Sequence, residues 1–214
     1  MMRRSALAAV AVAMIGTGFP VPAGAVDLGD GLIHLRNGTY AVADGPSSAS
    51  PGRAVTALPP DERTTWIVAL HGPSDDEARG RIEAAGARIV SAVPSNAWLV
   101  RARPGSADAL RTLDVVARVD HYRDAWKISP DVGRHVPADL ARRALAPRRL
   151  LDVHVFDGES AEDAARAAAD RGIRVIAVFG ADRGNRFTAV ADAAEMNGLA
   201  ALSAVEWIEE QGEI

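Results

Sequence analysis

Hydrophobic and polar residues follow the same order in two long blocks of the chain. The first block begins at Thr64 with the apolar run "TTWIVALHG" and continues through the amphipathic stretch "SDDEARGRIEAAG". The runs "ARIVSAV" and "NAWLVRA" follow on either side of a Pro-Ser turn, and "SADALRTLDVV" precedes the closing run "VARVDHY". Short β-branched runs predict strands and amphipathic stretches predict helices, so the block has the order β-α-β-β-α-β.

The second block repeats this pattern. The runs "LLDVHVFDG", "ARAAADRGIRVIAV", "NRFTAVA" and "LAALSAVEWIEEQ" align with their counterparts in the first block. Four residue pairs keep a nearly constant offset: Gly72 and Gly158, Gly86 and Gly172, Asn96 and Asn185, Leu113 and Leu202. A tandem β-α-β-β-α-β order predicts an α+β protein with two ferredoxin-like units, each an antiparallel sheet with two helices on one face.

The segments outside these blocks complete the predicted domain organisation. We expect a signal peptide over 1–25, an extended lead-in over 26–63, a first unit over 64–128, a linker over 129–149, a second unit over 150–210 and a tail over 211–214. In the lead-in, "GLIHLRNGTY" alternates as an edge strand does. In the linker, "PADLARRALA" is compatible with one short helix, and its arginines are expected to be solvated. A processing site or a patch for an acidic partner is the alternative for those arginines.

The N-terminal residues have the three parts of a secretory signal. Arg3 and Arg4 precede the apolar run "ALAAVAVAMIG", and Ala23 and Ala25 form the small-x-small pattern of a cleavage site. The apolar run is shorter than the ~20 residues that span a membrane. We therefore expect a mature chain that starts near Val26, carries no membrane span and is secreted or periplasmic. A retained N-terminal anchor is the alternative.

Composition narrows the classes of partner. The sequence has no cysteine, so an exported chain of this kind must be held together by its apolar core. Removing Arg3 and Arg4 with the leader takes the formal net charge from −4 to −6. Nucleic acid, which attracts basic surfaces, is therefore an unfavourable partner.

Catalytic chemistry has no recognisable pattern in the sequence. The five histidines are scattered, without the spacing of a metal site, and no serine lies in a nucleophile elbow. We expect no metal, no cofactor and no enzymatic activity. Ser74 is the expected cap of the first helix, with Asp75, Asp76 and Glu77 in its first turn. The four tryptophans are expected in the core or at a joint between the units.

A family resemblance adds a function to this fold. The stretch "WIVALHGPSDDEARGRIEAAGARIVSAVPSNAWLVRA", followed by "LRTLDVVARVDHYRDAWKISPDV", resembles the propeptide region of secreted subtilisin-like serine proteases. Two such units occur in tandem in some of these enzymes, and "LAALSAVEWIEEQGEI" is similar to the segment just before a mature protease. The catalytic motifs of the family, D-[ST]-G, H-G-T-H and G-T-S-M, do not occur, since "HGPS" at His71 is a different sequence.

The resemblance implies that the chain binds a subtilisin-like serine protease as an inhibitor, a folding chaperone or both. By analogy with the family, the residues after the last strand would enter the substrate cleft as a cleaved product does. The candidate residues for this protease-binding tail are Glu209, Glu210, Gln211, Gly212, Glu213 and Ile214. Two alternatives stay open: a separated or truncated propeptide, and an exported protein-binding module unrelated to proteolysis.

Overall fold

The computed structural model describes residues 32–36, 38–41, 60–94 and 96–213. The predicted signal peptide, with the cleavage residues Ala23 and Ala25, lies outside the described residues, and so does Ile214. The lead-in contains an antiparallel hairpin of strands β1 (Leu32–Leu35) and β2 (Gly38–Ala41). The alternation in "GLIHLRNGTY" thus corresponds to two short paired strands.

The first unit runs from β3 to a 3-10 helix that follows its last strand. Its elements are β3 (Thr64–Leu70), α1 (Asp76–Ala84), β4 (Arg88–Val93), β5 (Ala97–Ala102), α2 (Pro104–Leu110), β6 (Val116–His121) and the 3-10 helix Asp124–Lys127. Helix α1 is capped by Asp75, whose side chain accepts a hydrogen bond from the amide of Ala78 at 2.9 Å. The expected cap at Ser74 is therefore wrong by one residue, because the longer carboxylate next to it reaches the free amide.

The second unit repeats these elements after a short linker helix. They are α3 (Leu140–Arg143) in the linker, then β7 (Arg149–Val155), α4 (Ala161–Asp170), β8 (Arg174–Phe179), β9 (Arg186–Ala191), α5 (Ala193–Ala200) and β10 (Val205–Glu210). The 3-10 helix Ala181–Arg183 lengthens the hairpin between β8 and β9. This helix explains why the offset between the repeats grows at that point.

Both units have the same sheet topology. The strand orders are β4-β5-β3-β6 and β10-β7-β9-β8, and every pair within the two sheets is antiparallel. The predicted α+β fold of two β-α-β-β-α-β units is confirmed. Each unit packs its two helices on one sheet face around its own apolar core, which includes Ile82 and Leu110 in the first unit and Ala168 and Leu199 in the second.

Asparagine marks the same backbone position in both units. Asn96 and Asn185 precede the third strand of their units with φ angles of 54° and 42°, in the left-handed region. The side-chain nitrogen of Asn185 is buried and lies 3.0 to 3.3 Å from the carbonyl oxygens of Val155, Phe156 and Glu159. Asparagine therefore allows the backbone conformation and also binds the loop that leads into α4.

The two units are packed against each other on the helix-free face of the first sheet. Ile67 and Leu99, which are cross-strand partners on that face, are buried together with Tyr122, Trp126 and Phe156. Phe156 belongs to the second unit. The face that a single ferredoxin-like unit leaves open is thus covered here by the chain itself. All four tryptophans are buried: Trp66 and Trp98 lie in the core of the first unit and Trp126 lies at the joint, as expected, whereas Trp207 packs outside these clusters against Arg36.

Lys127 connects the units through a buried charge. It is the only lysine in the sequence and is 3% exposed. Its Nζ donates hydrogen bonds to the carbonyl oxygens of Ala200 at 2.7 Å and Leu202 at 3.1 Å, and lies 3.4 Å from Asp124. Ala200 is the last residue of α5 and Leu202 follows the helix, so both carbonyls lie at its C-terminal end, where the helix dipole favours a cation.

Arg101 makes a second connection of the same kind. It is 5% exposed on β5, donates to Glu159 at 2.6 Å and to the carbonyl oxygen of Ser203, and lies over the ring of Phe156. Burial lowers the pKa of this guanidinium, while the Glu159 carboxylate opposes the shift. Two buried cations of the first unit are therefore bound by groups of the second, although the buried Nε of Arg101 has no hydrogen-bond partner among the described residues.

The left-handed asparagine gives a stability prediction. We expect Asn185→Ala to lower the free energy of unfolding by ~2–4 kcal/mol, because it strains the backbone and leaves buried carbonyls without their donor. Asn185→Gly should be less damaging by ~1 kcal/mol, since glycine adopts the positive φ freely. Urea denaturation measures both values. Asn197→Ala, on the exposed side of α5, is the control and should stay within ~0.5 kcal/mol of the parent. Equal losses for the two Asn185 variants would contradict the backbone argument.

Lys127 gives a pH prediction. Burial lowers its pKa to about 8, although Asp124 opposes the shift, whereas an unfolded lysine has a pKa of ~10.4. Between these two pKa values the unfolded state binds more protons than the folded state does. The contribution of this group to the free energy of unfolding therefore increases with pH, by at most ~1.4 kcal/mol per pH unit. The free energy of unfolding of the parent minus that of Lys127→Met should be constant below pH ~7. The same difference should increase between pH ~8 and ~10, because the parent alone gains stability there. A difference that stays flat across that range would contradict the buried charge.

Candidate docking face and terminal segment

The helix-free face of the second sheet has polar residues at positions where the same face of the first sheet has apolar residues. Asp152 and Thr188 are cross-strand partners at the positions that Ile67 and Leu99 occupy in the first sheet. The hydroxyl of Thr188 donates to Asp152 Oδ1 at 2.8 Å, and Gln211 Nε2 donates to the same oxygen at 3.2 Å. The repeats thus keep one backbone and differ in the chemistry of this face.

An aromatic and ionic cluster lies beside this pair. Trp207 Nε1 donates to Glu209 Oε2 at 3.0 Å, and His154 Nε2 lies 3.2 Å from Glu209 Oε1. The guanidinium of Arg36, from the turn after β1, lies 4.7 Å from the centre of the Trp207 ring. His154, Glu209 and Asp152 are half-buried. The face therefore offers carboxylates, an imidazole and a guanidinium to a partner.

The candidate tail begins inside the sheet. Glu209 and Glu210 belong to β10, and the amide of Gln211 extends its ladder by donating to the carbonyl of Leu150 at 3.0 Å. The Glu210 carboxylate accepts hydrogen bonds from Arg149 at 2.9 Å and from the amide of Gly133 at 3.0 Å. These residues are parts of the folded unit and not of a free end.

The residues after β10 bind the linker. Arg142 donates to the carbonyl oxygens of Gln211 at 2.6 Å and Gly212 at 3.0 Å. The Glu213 carboxylate accepts from the amides of Ala138 and Asp139 at 3.0 and 3.1 Å, and these two amides hold its pKa below the usual value. The sequence predicts an extended segment reaching away from β10. In the structure, Gln211, Gly212 and Glu213 lie against the linker instead.

The linker arginines divide into two groups. Arg134, Arg143 and Arg148 are exposed, as expected for a solvated linker. Arg142 and Arg149 are half-buried and bind the terminal segment and β10, where solvation was the expectation. A cavity of about 420 Å³ lies between the linker and this segment, and its walls include His135, Arg142, Arg149, Leu150, Glu210 and Glu213.

The described residues show little sign of other chemistry. In the parts of the chain that the structure describes, no three His, Asp or Glu side chains come together as metal ligands do. No helix in those parts is long and apolar enough to cross a membrane. His121 packs edge-on against Trp66 with a centroid distance of 5.1 Å, and burial lowers its pKa despite Asp124.

Fold and site together define a tandem ferredoxin-like protein with one covered sheet face, one polar sheet face and a terminal segment held by the linker. Residues 34–123 match a protein family described as a domain of unknown function (DUF8729). The matched range includes most of the hairpin and the whole first unit up to β6. A search of curated proteins finds no match to the chain.

Sequence reasoning overlooked the residues that join the units. Lys127 could have been identified from the sequence, because it is the only lysine and all the other strongly basic residues are arginines. A compact ammonium with three donors suits converging carbonyl oxygens better than a planar guanidinium. The polar face could also have been found, since the aligned repeats place Asp152 against Ile67 and Thr188 against Leu99.

Proposed function

We propose that the protein is an exported, non-catalytic binding protein for a subtilisin-like serine protease, acting as its inhibitor, its folding chaperone or both. The second unit carries this activity. Its polar sheet face and the segment after β10 form the contact with the protease. The secreted or periplasmic location follows from the N-terminal signal pattern and the protease partner follows from the sequence resemblance, and the fold is compatible with both.

The observation that carries the proposal is the difference between the two sheet faces. Ile67 and Leu99 are used inside the molecule, so the first sheet has no helix-free face to offer. The second sheet keeps a polar face with Asp152 and Glu209, and the chain leaves this sheet next to that face. A protein that binds with both a sheet face and the strand that follows it can use only the second unit.

The mechanism of inhibition would be strand addition. An extended segment binds a substrate cleft through main-chain hydrogen bonds, and its side chains fill the flanking pockets. Residues 211–214 would supply this strand. The carboxylates near them add electrostatic complementarity, which acts more on specificity and association rate than on affinity.

Packing of the units supports tight binding. Each unit is small and lacks disulfides, and a domain of this size buries only ~60% of its unfolded surface. The shared apolar cluster and the buried cations Lys127 and Arg101 stabilise one arrangement of the two units. Such pre-organisation reduces the ordering cost of association.

Inhibition assays test this function. The chain starting at Val26 should inhibit at least one enzyme of a panel of purified subtilisin-like proteases at submicromolar concentration. The same chain lacking residues 211–214 should lose most of this inhibition, because β10 stays intact while the cleft-binding strand is removed. Residual enzyme activity is measured against inhibitor concentration with a chromogenic peptide substrate.

Two controls define the outcome. Circular dichroism of both proteins must show the same folded α+β spectrum, and Glu83→Gln, on the exposed side of α1, should inhibit as the parent does. A folded parent protein that inhibits no enzyme of the panel would overturn the inhibitor proposal. A separated propeptide without present activity, or a binding module with another partner, would then be the better account.

A further inference from the structure

The linker and the terminal segment make an intramolecular contact that the proposed activity does not use. Arg142, from α3, binds the main-chain carbonyl oxygens of two successive residues, Gln211 and Gly212, and also lies 3.2 Å from the Gln211 side-chain oxygen. Main-chain carbonyls are the groups that a substrate cleft must bind in a strand-addition complex. The linker therefore occupies part of the surface that a protease would need.

Glu213 fixes the other end of this contact. Both of its carboxylate oxygens accept a backbone amide of the linker, from Ala138 and Asp139. Asp139 in turn caps α3 by accepting from the amide of Ala141 at 2.7 Å. The same short helix thus positions Arg142 at one end of the segment and the two amides at the other.

We infer that the linker is a latch: it binds residues 211–213 in the free protein and must release them before they can enter a protease cleft. The contact between the linker and the segment is independent of the proposed function. Only the role of the released segment, binding a protease cleft, rests on that function. The latch itself is an acidic-peptide site whose occupant is the chain's own segment. Its contacts are exposed or half-buried hydrogen bonds, whose net contribution is small because water replaces them on release, so release is accessible without unfolding.

A latch also sets the observed affinity. When the competent form is a fraction of the population, the apparent dissociation constant rises by the inverse of that fraction. A variant that weakens the latch should therefore bind its target faster and more tightly than the parent does. A variant that only loses a binding contact would bind more weakly, so the sign of the effect distinguishes the two roles.

Amide exchange measured by NMR tests the latch without any protease. Arg142→Ala should accelerate exchange of the Ala138 and Asp139 amides about tenfold, although the Arg142 side chain binds Gln211 and Gly212, because loss of about one net hydrogen bond frees Glu213. Glu213→Ala, which removes the acceptor directly, should do the same. Arg134→Ala is the control, since Arg134 is exposed and pairs with Asp131. Amides of β9 should keep their protection in all three variants, which shows that the second unit stays folded.

The outcomes separate the latch from the proposed function. Unchanged exchange at Ala138 and Asp139 in Arg142→Ala would overturn the latch whatever the protein binds. Faster exchange together with a several-fold higher association rate on an inhibited protease would support both. Faster exchange without inhibition of any protease would sustain the latch and refute the proposed function. Faster exchange with an unchanged association rate on an inhibited protease would show that the latch does not restrain binding, and would overturn its regulatory part.

Discussion

The packing of the two units depends on the buried ammonium of Lys127. A charged group removed from water is costly unless its donors are satisfied, and here two carbonyl oxygens at the C-terminal end of α5 and the Asp124 carboxylate satisfy them. If the units slid past each other, this ammonium would lose both carbonyl acceptors and keep only Asp124, which lies in its own unit. The next residues then run along the edge of β10, where the amide of Ser129 donates to Ile208 at 2.8 Å. Lys127 thereby determines where the linker begins and which strand it follows.

The sequence repeat explains why the two units share one backbone fold. It does not explain why their helix-free sheet faces have different roles. The same backbone gives both sheets a helix-free face, and a few substitutions decide whether that face is buried. An Ile–Leu pair at its centre favours packing against apolar groups, whereas an Asp–Thr pair must stay hydrogen-bonded or hydrated. Ile67 and Leu99 therefore make the first unit a support, whereas in the second unit Thr188 is buried against Asp152 and the half-buried carboxylates of Asp152 and Glu209 remain at the surface.

Local patterns in the sequence were sufficient to predict the fold of each unit. They were insufficient to predict the contacts that join the units. Strand periodicity, helix-ending glycines and the paired asparagines are short-range signals, and they predicted both units with their topology. The contacts of Lys127, Arg101 and Arg142 join residues far apart in the chain. Lys127 differs from the other basic residues only as the single lysine of the sequence, and nothing near Arg101 or Arg142 in the sequence distinguishes them from solvated charges. The terminal segment shows the same limit. Its acidic, extended sequence predicts a free strand, and only the folded linker reveals that Arg142 and two amides bind it.

The latch and a protease cleft would both bind the terminal segment through hydrogen bonds. The two can therefore compete for it. Both bind main-chain carbonyls of the segment, but the linker offers one guanidinium for them and two amides for the Glu213 side chain, whereas strand addition pairs several successive residues. A latch of a few exposed hydrogen bonds therefore lowers affinity by a modest factor without abolishing binding. It also keeps the unpaired edge groups of the segment satisfied while the partner is absent. Edge strands left open tend to pair with other chains, so a self-occupied segment also protects the free protein from unwanted association.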